Sequence, residues 1–371
     1  MSSDNPPRTT GRGAWPAALV VLAALCLVGR SRFGATTLPV AEIDLRLDGP
    51  GRNADDPCFW VDPSDPDASL LFVTARDAGM VEVYNAASGT FVNAVTGFGR
   101  PNSCAVADDL LLTTDQKAGE VKVHHIPDLS PLRTFGRDME TPDGIDVLHT
   151  SRGQGFVYVT DSGDASVHAY DLRTGILVRS FQTGSGRDAP IVVDDLYQRI
   201  YVAREQRGEH AIALYTPEGT LVGTFGADVF AHDAQGLALY ACGTAGYLVA
   251  ADPGKTAAEF EVFDRVTLAH LGTFRLRDWQ GSLTDATDGL DILQAPLAGF
   301  PNGVLAARDG TQQGMDVVSW DHVAAALGLD RCPGGAPPTM RTRPRDSGRP
   351  SYYARAFPPG APRGARSARG V

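Results

Sequence analysis

The sequence predicts an all-β fold, a six-bladed β-propeller of four-stranded antiparallel blades. Three observations predict it. A segment of blade size recurs six times, its strands alternate with a period of two, and Gly- and Asp-rich turns fall at fixed places in each copy.

The copies begin near Leu70, Leu110, Phe156, Arg199, Tyr247 and Val304, a spacing of roughly 40 to 57 residues. That is the length of one propeller blade. Each copy opens on a short apolar strand, turns through Asp or Gly, and continues in an alternating strand such as Val81-Glu82-Val83-Tyr84, Val121-Lys122-Val123-His124 or Val167-His168-Ala169-Tyr170. A tight turn and a strand ending near Phe or Leu complete it. One blade cannot bury both of its faces, so the copies must stack around an axis. Closing the ring hides the sheet edges, and residues 41–47 are expected to do this by pairing with the last blade. The sixth copy departs from the pattern after Trp320, where DHVAAALGL predicts a short closing helix.

Outside the repeats the composition changes. Residues 14–28 are almost wholly apolar and follow Arg8 and Arg12, the pattern of an export signal; fifteen residues are short for a spanning helix, which needs about 20. An uncleaved membrane anchor is the alternative. After Cys332 the chain becomes rich in Pro, Gly, Arg and Ser, a composition that cannot bury enough apolar surface to order itself. The expected organisation is an export segment over 1–37, the propeller over 38–330 and a basic tail over 331–371.

The formal charge is −11, but the terminal segments carry +3 and +8, which leaves −22 for the body. Such a body repels nucleic acid and suits divalent cations, although a soluble acidic surface accounts for it equally. Without Cys26, four cysteines remain: Cys58, Cys104, Cys242 and Cys332. In an exported chain they permit two disulfides in any of three pairings. There is no CxxC or Cys/His cluster for zinc, no Gly-x-Ser-x-Gly elbow, and no Gly-rich loop opening a helix. His124-His125 lies on an alternating strand, with one ring expected to pack and the other to face solvent.

Chemistry concentrates in two places. Asp55-Asp56-Pro57 sits at the start of the first blade, and Asp288-Gly289-Leu290-Asp291 has a near copy in Asp143-Gly144-Ile145-Asp146. Asp-Gly pairs between strands place carboxylates at one mouth of the channel, where a hard cation such as Ca²⁺ takes several oxygens. The same pairs also serve as ordinary turns, and periodicity alone does not separate the two.

These segments resemble the β-propeller phytases. DDPCFW and TDGLDIL stand where that family has DDPAIW and DTDGIDVL. HDAQGLALY is similar to its D-x-E-G-L strand, FPNGVLAARDG to its P-x-G-L-F-V-A-Q-D-G strand, and VVSWDHVAAALGL to its closing W-x-x-I-A helix. The resemblance spans residues 41–329. It implies a secreted, calcium-dependent phosphomonoesterase acting on phytate or related phosphate esters, with metal-assisted hydrolysis at the channel mouth. Carried over residue by residue, Asp55, Asp56 and Glu205 are expected to serve catalysis. Asp56, Asp143, Asp233, Asp288 and Asp309 are expected to hold Ca²⁺. Arg76, Lys117 and Arg204 are expected to contact phosphate. The partner is a small phosphate ester, not nucleic acid; membrane contact would come only through the N-terminal segment, and the chain is expected to be a monomer.

The chain departs from the family at four positions. Ala189-Pro190 replaces Glu-Gly, Arg204-Glu205 replaces a tandem Glu pair, Gln235 replaces Glu, and Asp143 aligns with a Tyr. Each missing carboxylate lowers calcium affinity. Two further readings therefore stand beside the hydrolase: a non-catalytic propeller that binds a ligand through a degenerate site, and a propeller lactonase.

Overall fold

The computed structural model describes residues 37–332 apart from 48, 51–52, 184–189, 207–208 and 255. The expected export segment, the tail beyond Cys332, and Ala189 lie outside the described residues.

The alternating segments form six sheets that follow one another around a ring, as the repeat required. Their innermost strands are Ala54–Trp60, Pro101–Ala107, Pro142–His149, Ile191–Asp194, Gly236–Cys242 and Leu290–Leu293. Each packs against the innermost strand of the next blade, and Leu290–Leu293 meets Ala54–Trp60 to complete the circle. Within a blade the strands run outward, antiparallel and in sequence order.

Alternation explains the packing. The apolar side chains of each blade's middle strands point into the seams, and every seam holds its own hydrophobic cluster. Phe72 and Val81 of blade one meet Leu111 and Ile126 of blade two. Tyr201 and Ile212 of blade four meet Leu248 and Phe263 of blade five. At about 1.5–3 kcal/mol for each large side chain buried, the seams are the main source of cohesion. His124 is buried in one of them and His125 is exposed, as the strand pattern implied.

Ring closure differs in part from the expectation. Leu45–Leu47 pairs antiparallel with Gly314–Ser319 as the outermost strand of blade six. Val40–Glu42 instead runs parallel to His270–Arg277 and makes blade five five-stranded. The chain crosses between blades at Ile43 and Asp44, whose N–H groups donate to the carbonyls of Arg277 at 2.9 Å and Val317 at 2.8 Å. Burial of Ala41 and Ile43 in the seam between blades five and six drives the split. The predicted helix forms at Trp320–Leu327, with the Ser319 hydroxyl accepting from the Asp321 N–H and left-handed Gly328 ending it. Trp320 stacks on Tyr240 with ring centroids 3.8 Å apart and fixes the helix over the same seam.

The cysteines pair as Cys58–Cys104, between the innermost strands of blades one and two, and Cys242–Cys332, between blade five and the segment after the helix. Among the described residues no helix is long and apolar enough to cross a membrane.

Candidate functional site at the channel mouth

The site is built by a threonine device repeated at the start of the innermost strands. The Thr74 hydroxyl accepts from the Asp56 N–H at 2.9 Å and donates to the Asn102 carbonyl of the next blade at 2.7 Å. Thr114 does the same between the Ser103 N–H and the Asp143 carbonyl, each at 2.9 Å. Thr160 accepts from the Gly144 N–H at 2.8 Å. Asp56, Ser103 and Gly144 are thus equivalent, and Asp55, Asn102 and Asp143 before them form one layer at the mouth of the channel. Gln235 and Asp288 hold the same place in blades five and six.

That layer opens into a cavity of about 810 Å³, lined by Asp55, Asp56, Arg76, Arg100, Asn102, Ser103, Gln116, Asp143, Asp146, Gln235, Asp288 and Asp291, among others. Gly289 permits the closure between blades six and one. A Cβ there would overlap Asp56 Oδ1 and lie 2.6 Å from the Asp55 carbonyl oxygen.

Six carboxylates therefore share one cavity, and burial is the largest influence on five of them, Asp55, Asp56, Asp143, Asp146 and Asp291. Burial pushes Asp55 up to about 7 against the attraction of Arg76, which pairs with it, while the Asp288 charge pushes the same way as burial. Asp56 is held well above the ordinary carboxylate range by burial, with the Ser103 hydroxyl donating to it and opposing the rise. Asp143 is raised by burial against hydrogen bonds from Ser162 and Gln116. Asp288 is paired with Arg308 at 2.6 Å.

Deeper in the channel, Asp146 accepts the N–H groups of Val147 and of Val193 in the next blade, both at 2.7 Å, and burial pushes it up to about 7. Asp291 accepts from Ile292 at 2.7 Å and from Phe59 of the next blade at 3.1 Å, and burial raises it to about 6. These two residues clamp neighbouring blades together.

Of the residues singled out in the sequence, Asp55, Asp56, Asp143, Asp288 and Arg76 come together in the cavity. Asp233, Asp309, Lys117 and Arg204 are not part of its lining. Asp233 is outside the lining, 2.6 Å from His210 Nδ1. Asp309 joins Asp278 and Asp316 around the Arg46 guanidinium, at 3.3, 3.0 and 2.9 Å respectively. Lys117 is exposed, and its neighbour Gln116 faces the cavity and donates to Asp143 instead. Arg204 sits opposite Ala211 on the second strand of blade four, and Glu205 follows it opposite His210. Sequence reasoning missed Asn102, Ser103 and Gln116, and named Asp146 and Asp291 without giving them a role. The repeated Asp-Gly-x-Asp spacing in blades three and six was the signal for the last two.

The donor set fits a hard cation. Asp55 Oδ1 and Asn102 Oδ1 are buried without a hydrogen-bond partner, and a buried oxygen left so is costly. Asp55, Asp56, Asn102, Asp143 and Asp288 supply only oxygen ligands, the chemistry that Ca²⁺ selects. Elsewhere Asp161, Asp164 and His168 bring three ligand atoms within 4.8 Å of one another. There Asp161 already accepts the N–H groups of Glu140, Thr141 and Gly163, and His168 is held by Ser166 and Ser180.

Fold and cavity together define a six-bladed propeller with an acidic, oxygen-lined mouth. A family model described as Phytase matches residues 159–332, from blade three to the end of the described chain, and this is consistent with a β-propeller phytase family. The match supports a phytase-like function. Among solved structures, the β-propeller domain of Myceliophteria thermophila Cps50 (Swd1) is similar at 12% identity and a TM-score of 0.50, over 75% of this chain and 98% of that one. Kuenenia stuttgartiensis hydrazine synthase is similar at 15% identity and a TM-score of 0.51, over 77% of this chain and 81% of that one. At such identities both likenesses concern the fold alone.

Proposed function

We propose that the protein is an exported, calcium-dependent phosphomonoesterase acting on phytate or related phosphate esters, with the propeller over 38–330 as its working domain. The carrying observation is the pairing of buried oxygens that lack partners, on Asp55 and Asn102, with guanidinium groups in the same cavity. Asp55, Asp56, Asn102, Asp143 and Asp288 would hold calcium. When bound, the ion would neutralise substrate charge and acidify a water for attack on phosphorus. Arg76 and Arg100 supply the fork-shaped donors that phosphate oxygens accept. Arg76 also keeps Asp55 oriented, and Arg308 does the same for Asp288 by donating to the Ala54 and Ala286 carbonyls, each at 2.6 Å. The two disulfides accord with an oxidising, extracytoplasmic compartment.

One observation favours a second reading, a propeller that binds a phosphorylated ligand without hydrolysing it. Asp233 is engaged by His210 and Asp309 by Arg46, so the mouth has fewer acids than the resemblance implied. Phosphate release from phytate across a calcium titration separates the readings. Release that rises with calcium and stops on chelation supports the hydrolase. Calcium-dependent retention of phytate with no release supports the binding propeller.

A further inference from the structure

The innermost strands of neighbouring blades belong to different sheets, so no strand ladder joins them. In three of the six seams a cross-link does so at one equivalent position. In blade three it is Asp146, which accepts from Val193 of blade four. In blade six it is Asp291, which accepts from Phe59 of blade one. In blade one the same position, two residues beyond the Thr-held residue, is Cys58, and its link to blade two is the disulfide with Cys104. The Cα atoms of this pair are 5.8 Å apart. Both cysteines are buried and line the cavity.

The disulfide lies directly beneath the ligand layer. Cys58 follows Asp56 by two residues and Cys104 follows Ser103 by one, and the Ser103 hydroxyl donates to the Asp56 carboxylate across that seam. The Asn102 carbonyl is fixed in the same seam by Thr74. Asp55 and Asp56 come from one blade and Asn102 and Ser103 from the next, so their common cavity exists only while these two strands keep their separation.

We propose that Cys58 and Cys104 are positioning residues for ligand capture: their disulfide holds the Asp55–Asp56 strand against the Asn102–Ser103 strand, so that tight cation binding at the mouth depends on a link across this seam, which the oxidised pair supplies. This rests on the mouth being a calcium site, as proposed above. Cys242–Cys332 provides an internal control, because it joins the far end of a blade-five strand to the segment after the closing helix, away from the cavity.

The test is calorimetric titration of the full chain with CaCl₂ alone, with thermal melts in chelator recorded separately. Cys58→Ala/Cys104→Ala is expected to bind Ca²⁺ at least tenfold more weakly than the parent. Cys242→Ala/Cys332→Ala is expected to keep parental affinity while melting at a lower temperature. A third variant, Cys58→Asn/Cys104→Ala, replaces the covalent link by the neutral counterpart of the carboxylate clamp in blades three and six. It is expected to recover affinity to within about threefold, and it serves as the test if the double alanine variant does not fold. Unchanged Ca²⁺ affinity in the first variant, or an equal loss in the blade-five variant, overturns the proposal. A parent chain that binds no Ca²⁺ overturns the calcium reading itself, and this proposal with it.

Discussion

Gly289 and Asp56 are in such close contact that a single added carbon would displace the carboxylate. A Cβ on Gly289 overlaps Asp56 Oδ1 and comes within 2.6 Å of the Asp55 carbonyl, which is backbone and cannot swing away. Gly289→Ala is therefore expected to part the strands of blades six and one at the mouth. Phosphate release from phytate should fall at least tenfold and the melting temperature by several degrees, consistent with the usual cost of overpacking, about 1–3 kcal/mol. Activity equal to that of the parent would contradict the observed approach.

Chelation should reveal the cation site as stability. A ligand bound only to the folded state stabilises it by mass action, so EDTA is expected to lower the melting temperature and added Ca²⁺ to restore it. Gln235 occupies the blade-five place in the ligand layer. Gln235→Glu adds a carboxylate there and should tighten Ca²⁺ binding several-fold, read by titration calorimetry.

Asp146 gives the fold a pH dependence of definite sign. Burial lifts its carboxyl from 3.8 to about 7 in the folded chain. Its contribution is fully present below 3.8 and is lost as pH rises through about 7, because the folded state then has to bury a charge. Asp146→Asn does not titrate. Relative to the parent, the variant should therefore gain melting temperature, by a few degrees, between pH 5 and pH 8. A difference that stays flat over that range would remove Asp146 as the cause.

Arg46 is the cation at the centre of Asp278, Asp309 and Asp316. Arg46→Ala leaves three buried acids facing one another, a change expected to cost about 3–5 kcal/mol. Burial raises Asp309 to about 6, so the loss in melting temperature should be larger at pH 8 than at pH 5, where Asp309 is protonated. Equal losses at both values would show that the acids do not depend on Arg46 for their charge.

Much of this was legible in the chain itself. Period-two alternation and the six copies specify the blades, and the break after Trp320 marks the helix. Asp55, Asp56, Asp143 and Asp288 converge because each stands at, or just before, the start of an innermost strand, a place that register alone assigns. Asp309 stands apart from that layer because it ends a second strand rather than beginning a first. Its counterparts Asp115, Asp161 and Asp252 each accept N–H groups of the incoming connection, from Gly99, Glu140 and Ala231 among others. Lys117 lies one place from Gln116 on a tight turn, and a shift of one residue there exchanges solvent for cavity. The division of residues 40–47 between two blades depended on which outer edge lay free, which is a property of the assembled ring.

The Arg46–Asp316 pair joins positions 270 residues apart in the chain. The Leu45–Leu47 strand is thus made early in synthesis but has no partner until the last blade has left the ribosome. Closure at such separation carries a large loop-entropy cost and makes for slow folding with a long-lived open edge. Truncation upstream of residue 316 should accordingly leave an open-ended array prone to self-association, with the capacity to seal held by the final segment of the propeller.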